Sequence, residues 1–386
     1  MPLLKKIFTI SSILLLIVLF FWGIYFFAFK KTSSPTAENQ STLSSKSASI
    51  ETSPKATAKN TSPILALSDE PVLAPALIND DLNIKYYAKN DGKVYKIDLE
   101  GSNKQTFSNK ALLGLLSVSW SPDKTKVITK FKGANEQSQF YSYDYATSSS
   151  AMLGKGINMA IWQNNSKIIY QYTDPKNQKT TLNISDPNGK NWTKLADLPV
   201  KYIFAAPIPK SGFISFWNKP DANYETTLSS VSILGGETQT LFKGSFGSDY
   251  LWSNDGNYIL VSSSDKKGGT KINLSLLNNK GEGYKDLNIP TLAYKCVWSK
   301  DNQTIYYALP SGIPDNSIMP NDYINGKVNT TDTFWKVDIT TGEKSRVVDL
   351  DKIKSQLDAV GLFLNSNESA LFFINRIDGK LYKITL

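Results

Sequence analysis

Histidine is absent from this 386-residue sequence and cysteine occurs once. Without histidine, neither a Ser-His-Asp nor a Cys-His relay can be assembled, and no His-ligated zinc site can form. The lone Cys296 rules out an internal disulfide, a Cys-type zinc site and an iron–sulfur cluster. It sits in an apolar segment, residues 292–298, where a small buried hydrophobe is the expected role. Arginine is scarce too, with only Arg346 and Arg376. No long 3.6-residue hydrophobic period follows residue 62, which excludes a substantial helical domain.

What is present begins with an uncharged apolar run, residues 7–29. As a helix it would be roughly 35 Å long, enough to cross the hydrocarbon core of a bilayer. It is too long for a cleaved signal peptide and ends in bulky aromatics before Lys30 and Lys31. The sequence therefore predicts an uncleaved N-terminal transmembrane helix within residues 1–31, its partner the lipid bilayer. Lys5, Lys6 and the terminal amine outnumber the two lysines beyond the run by one charge, which orients the short N-terminus to the cytoplasm. From residue 32 to 62, 17 of 31 residues are Ser, Thr or Pro and none is aromatic. Such a segment cannot bury a core and is expected to be a disordered tether. The remaining residues, 63–386, carry a net charge of about +4, with no basic helix and no dense basic run. No nucleic-acid partner is expected; solubility and attraction to acidic envelope polymers account for the charge.

The rest of the chain reads as all-β, with short aromatic-rich or alternating strands separated by Gly, Asn, Asp, Ser and Pro turns. Trp120, Trp162, Trp252 and Trp298 each precede a polar turn and a new apolar strand, at spacings of 42, 90 and 46 residues. The 90-residue gap is two periods, and residues 206–212 supply its missing turn ahead of a strand at 213–217. Further turns at 78–82 and 365–368 bring the units to seven. A second mark keeps the same register: Asp98, Gly101 and Phe107; Asp186, Gly189 and Leu195; Asn278, Gly281 and Leu287. Partial copies are Asp144 with Leu153, Gly235 with Leu241, and Asp338 with Gly342. A carboxylate or amide starts each turn and glycine accepts the positive φ that follows. Four strands every 40 to 50 residues predict a β-propeller, of seven four-stranded blades across residues 63–386. The last unit supplies only three strands, so residues 63–67 are expected to complete it and remove an open edge. Six blades with an irregular N-terminal cap are the alternative.

Trp120-Ser-Pro-Asp123 ahead of an apolar strand, followed by the Asp-x-x-Gly mark, resembles the repeat of TolB-type propellers over roughly residues 70–386. The resemblance implies an extracytoplasmic binding or scaffold module. This chain departs from TolB itself in lacking the preceding α/β domain and in carrying the apolar N-terminal run.

Candidate chemistry is sparse. One Trp per unit at an equivalent place is what packing between blades requires, in preference to a sugar-stacking platform. Asp123, Asp255 and Asp301 are accounted for by their turns, and Asn79, Asp80 and Asp81 lack calcium-loop spacing. Residues 185–192 come near the Asp-box of sialidases, but Pro187 takes the Asp position and two arginines cannot grip a carboxylate as that chemistry needs. No catalytic, cofactor or metal residues are assigned. The expected role is a membrane-anchored, extracytoplasmic, non-catalytic module of the cell envelope that binds a protein partner. Its rival is a carbohydrate-binding or carbohydrate-active propeller with a carboxylate pair, whose partner would be a polysaccharide. The one irregular stretch, residues 310–331, exceeds a blade's needs and contains Ile313, Ile318, Met319, Tyr323 and Ile324. These five are the candidate partner-contact residues, with folding back on the propeller as the other reading.

Overall fold

The computed structural model describes residues 63–78, 81–133 and 138–386. The expected anchor and tether, and Asn79 and Asp80, lie outside the described residues. Among the described residues, no helix is long and apolar enough to cross a membrane.

The chain is nearly all strand, arranged in consecutive antiparallel sheets. The first comprises Val72–Ile78, Asn83–Ala88, Val94–Asp98 and Gln105–Ser108; the second Leu115–Trp120, Lys126–Lys132, Ser138–Asp144 and Ser149–Met152. The third comprises Ile157–Trp162, Ile168–Thr173, Thr180–Ser185 and Thr193–Leu198. A seven-stranded sheet then runs Ile203–Pro207, Phe213–Asn218, Glu225–Ser232, Gln239–Trp252, Tyr258–Ser264, Ile272–Asn278 and Lys285–Ile289. Its long middle strand pairs first with Glu225–Ser232, through Gln239 to Phe246, and then with Tyr258–Ser264, through Phe246 to Trp252. Next come Cys296–Trp298, Thr304–Ser311, Thr331–Asp338 and Lys344–Arg346. The last sheet combines Ala359–Leu364, Ala370–Asn375 and Leu381–Thr385 with Ile64–Ala66 from the start of the described chain. Ile64 stands opposite Ile384 and Ala66 opposite Tyr382, so the two ends of the domain share one sheet, as residues 63–67 were expected to.

The core consists of apolar seams between successive sheets. Tyr87 and Val94 meet Trp120 and Val127 between the first and second sheets; Leu153 meets Ile157 and Trp162 between the second and third. The last seam returns to the start, with Phe372 and Leu381 against Ile84, Tyr86 and Leu67. The repeated tryptophans serve these seams. Trp120 Nε1 donates to the Ala74 carbonyl at 2.7 Å, Trp162 Nε1 to that of Ser119 at 2.9 Å, and Trp252 Nε1 to Ser215 Oγ at 2.9 Å. Each bond reaches back to the preceding sheet or half-sheet, so each indole is both wedge and tie.

The turns after Trp120, Trp252 and Trp298 are tied the other way, to the sheet that follows. Ser121, Ser253 and Ser299 donate to Asp123, Asp255 and Asp301 within their own turns. Across sheets, the Asp123 N–H donates to Asn165 at 2.9 Å, and the Asn254 N–H to Asn302 at 2.8 Å. The Lys300 N–H reaches Glu368, and the Ser366 N–H reaches Asp81 of the first sheet. Turn chemistry thus accounts for the repeated acids, as the sequence suggested.

Candidate functional site

Residues 312–330, between Thr304–Ser311 and Thr331–Asp338, form a cap over the face on which each sheet's second and third strands are joined. The Met319 N–H donates to the Gly269 carbonyl at 3.0 Å. Asn321, in the short helix Asn321–Ile324, accepts from the Ala222 N–H at 2.8 Å and donates to Asp221 at 2.7 Å. On the opposite side, Arg376 donates to the Tyr323 carbonyl at 3.2 Å and lies 4.0 Å from that ring's centroid. The cap therefore bridges both halves of the seven-stranded sheet to the last sheet.

Met319 and Tyr323 are buried in an apolar cluster with Ile272 and Leu292. This corrects the expectation of a partner-contact surface at those two positions: their side chains supply the adhesion that holds the cap to the fold. Ile313 packs half-buried against the same cluster, Ile324 is half-buried, and of the five only Ile318 is exposed.

Beneath the cap lies a network of buried charge. Lys295 has no solvent exposure, and its amine stands 2.6 Å from Asp332 and 2.8 Å from Asp358. It also donates to Thr330 Oγ1 and the Ala359 carbonyl, both at 3.1 Å. Asp358 further accepts from Tyr323 Oη and the Thr330 N–H, with Arg376 at 3.5 Å. Burial disfavours the charge on Asp358, but Lys295 and these donors together hold its carboxyl below the usual range. For Asp332 burial outweighs Lys295, and its carboxyl is raised. Two cations thus stand against two carboxylates, a pairing whose disruption is far costlier than its net contribution.

Another carboxylate, Asp249, is half-buried on the long strand Gln239–Trp252. It accepts from Trp217 Nε1 at 3.0 Å and the Tyr250 N–H at 3.1 Å, and among the described residues no cation pairs with it. Burial pushes it up to about 6. At the other end of the ring, the buried Lys85 amine lies 3.8 Å from the Trp120 ring centroid and 4.8 Å from that of Phe107, and donates to the Lys124 carbonyl. Burial, with Lys124 adding repulsion, brings it down to about 8.

Along the cap's outer edge opens a cleft of about 750 Å³, lined by the first half of the seven-stranded sheet and by Asn321, Ile324 and Asn325. Tyr202 and Tyr224 stand exposed in it, at 58% and 68%. Asn218, Asp221, Glu225, Thr227, Ser229 and Thr240 supply amide, carboxylate and hydroxyl groups between them. Burial opposes the charge on Asp221, but Asn321 and Asn223 hold its carboxyl below the usual range. A second cleft, of about 1230 Å³, shares Asp197, Pro199, Val200 and Lys201 with the first. It adds Trp192, 62% exposed, and Lys155, Lys179 and Lys194. No sequence motif marked Tyr202 or Tyr224. Their only signal is a large aromatic next to turn residues, Lys201 and Asn223, which recurs throughout this chain.

Among the described residues there is no group of three or more Asp, Glu or Cys placed to hold a metal ion.

No known protein family's profile matches the chain, and no curated protein matches its sequence. Solved structures do resemble it. The β-propeller domain of the trilobed protease from Pyrococcus furiosus is 14% identical, with a TM-score of 0.53, over 81% of this chain and 95% of that one. Oligogalacturonate lyase from Vibrio parahaemolyticus is 12% identical, with a TM-score of 0.59, over 83% of this chain and 93% of that one. TolB from Acinetobacter baumannii is also among the similar structures, at 16% identity and a TM-score of 0.40, over 55% of this chain and 53% of that one. The fold is a β-propeller. The Pyrococcus domain is described as having an open velcro topology, whereas here Ile64–Ala66 pairs with Leu381–Thr385.

The lyase overturns the expectation that this chain is not an enzyme. That expectation rested on the absence of histidine, the two arginines and the turn roles of the repeated acids. A chain named as a lyase matches this one over 93% of its own length, so a propeller needs no added domain to be an enzyme.

Proposed function

We propose that this protein is a seven-bladed propeller, tethered outside the cell membrane, that binds a carbohydrate of the cell envelope in the cleft beside its cap. The seven blades follow from reading the seven-stranded sheet as two four-stranded units that share Gln239–Trp252. Tethering rests on the apolar run 7–29 and the Ser/Thr/Pro-rich segment after it.

The observation that carries the ligand class is the pairing of exposed Tyr202 and Tyr224 within a cleft of hydroxyl, amide and carboxylate side chains. Aromatic rings cover the apolar face of a sugar while short polar groups take its hydroxyls, and the site buries enough surface only if both are present. Lys155, Lys179, Lys194 and Lys201 along the adjoining cleft, against Asp174 and Asp197, favour an acidic chain. A protein ligand loses its main support with the burial of Met319 and Tyr323.

The test is binding of the full-length protein, in detergent micelles, to solubilised envelope polysaccharides, beside Tyr202→Ala and Tyr224→Ala. Each substitution should weaken glycan binding about tenfold or more while leaving the unfolding temperature within a degree or so, as expected at exposed positions. Glycan binding unaltered in both variants, or binding of a protein with no glycan bound, would overturn the proposal.

A further inference from the structure

The larger cleft, of about 1230 Å³, is built on the face of the third sheet that looks toward the second. Tyr172, Thr181 and Asp197 stand in one cross-strand row and Tyr170, Asn183 and Lys194 in another, and all six line it. Its facing wall is Leu153, Gly154 and Lys155, just past the second sheet's short outer strand Ser149–Met152. Trp192 and Pro199 flank the strand Thr193–Leu198 and both line the cleft, which therefore runs the length of that six-residue strand, roughly 20 Å. Residues 197–201 then divide it from the cleft beside the cap, and Asp197, Pro199, Val200 and Lys201 line both.

Two features of this groove serve nothing within the fold. Trp192 is 62% exposed and, among the described residues, has neither a hydrogen-bond nor a ring partner. The turn it ends does not need the indole, because Asp186 is already satisfied by Lys167 and Asn191, each at 2.7 Å. Charge is the second feature. Lys194 is paired with Asp197 at 3.0 Å, and Asp174 is taken up by its own turn, accepting from the Lys176 N–H at 2.8 Å and from Asn177 at 3.0 Å. Lys155, Lys179 and Lys201 have no carboxylate partner among the described residues. Lys201 stands on the dividing segment itself, its amine 5.8 Å from the Tyr202 ring centroid.

We infer that the carbohydrate site continues over residues 197–201 into this groove, and that its ligand is an extended acidic polysaccharide whose sugar rings carry carboxylates. Trp192 is a second stacking platform, roughly 20 Å along the strand from the dividing segment. Lys155, Lys179 and Lys201 meet the charges of the chain between the two aromatic ends. The inference rests on the glycan reading of the cleft beside the cap and extends it from a sugar to a chain. Aromatic rings at both ends call for ring faces at both ends, which a polyol phosphate lacks although it has the charge. No arginine lines either cleft, and three unpaired lysines are a thin track for a nucleic acid, which brings a phosphate with every nucleotide. A chain that occupies one cleft reaches the other without a second association cost, so affinity climbs steeply once a fragment spans both.

The experiment measures binding of the full-length protein, in detergent micelles, to a ladder of fragments cut from alginate and from hyaluronan, beside Trp192→Ala and Tyr202→Ala. Wild-type affinity should rise about tenfold or more from short to long fragments. Trp192→Ala should remove that rise, leave short-fragment binding as it was, and keep the unfolding temperature within a degree or so, as expected at an exposed position. Tyr202→Ala should weaken short and long fragments alike, and carboxyl-reduced fragments should lose the rise in the wild type. Affinity independent of length, an unaltered length profile in Trp192→Ala, or carboxyl-reduced chains bound as tightly as native ones would overturn the inference and leave the cleft beside the cap as a glycan site. Binding of neither polymer, or tighter binding of single-stranded DNA, would overturn it too. Binding unaltered by Tyr202→Ala would overturn the glycan reading along with it.

Discussion

A Cβ on Gly281 would lie 1.9 Å from the carbonyl oxygen of Leu241. Gly281 is the turn glycine of the second half-sheet, and Leu241 lies on the outer strand of the first half. The same relation closes the ring, where a Cβ on Gly101 would meet the Leu67 carbonyl oxygen at 2.9 Å. The Asp-x-x-Gly mark therefore records more than a positive φ. At Gly281 and Gly101 it also records a close approach to the neighbouring backbone, whereas Gly189 meets only the Leu153 side chain, at 3.5 Å.

Gly342 isolates the two effects, since it has a φ of +75° and open space where a Cβ would go. Gly342→Ala should cost only the left-handed backbone strain, about 1–2 kcal/mol. Gly281→Ala should cost roughly 1–3 kcal/mol more, because the blocking atoms are backbone and cannot rotate away. Urea midpoints of the two variants decide it, and equal midpoints would mean that the close approach relaxes freely.

Lys295 sets up a second contrast. Lys295→Met leaves Asp332 and Asp358 buried without their shared cation, and removing one member of such a cluster costs about 3–5 kcal/mol. Adding Asp332→Asn should restore part of that loss, because Asp358 keeps Arg376, Tyr323 and the Thr330 N–H. A double variant no more stable than Lys295→Met would show that the network acts through packing and not through its charge balance.

The ring and its closure were legible because they repeat. Trp120, Trp162, Trp252 and Trp298 recur at one place in their units, with one unit between Trp162 and Trp252 that lacks it, and Leu67 could be matched to the final sheet once three strands were seen to be left over. The cap was not legible in the same way. Asn321 meets Asp221 at a separation of 100 residues, and Lys295 meets Asp358 at 63. Neither pair is periodic, so no local pattern foretells it. The apolar residues of the cap could be seen, but whether Met319 and Tyr323 faced inward depended on Leu292 and Ile272, which only the folded chain brings beneath them. Tyr202 and Tyr224 were hidden for the opposite reason: in a sequence with 19 tyrosines, only exposure distinguishes these two.

Lys85 offers a test by pH. Its amine is brought down to about 8 in the folded protein, chiefly by burial and then by Lys124, while Asp123 pulls the other way. In the unfolded chain a lysine titrates near 10.4. Between these values the unfolded state holds a proton that the folded state has released, so this residue makes stability rise with pH across that window. Below about pH 8 both states are charged, and the folded protein bears the full cost of a buried cation, offset in part by the Trp120 ring at 3.8 Å. The contribution should reach roughly 2–3 kcal/mol by the top of the window. Tyrosines and other lysines titrate in the same range, so the measurement is a difference: unfolding free energy from pH 7 to 10.5 for the wild type minus that for Lys85→Met. The difference should climb with pH. A flat or falling difference would mean that Trp120, Phe107 and the Lys124 carbonyl stabilise the ammonium enough to cancel the effect of burial.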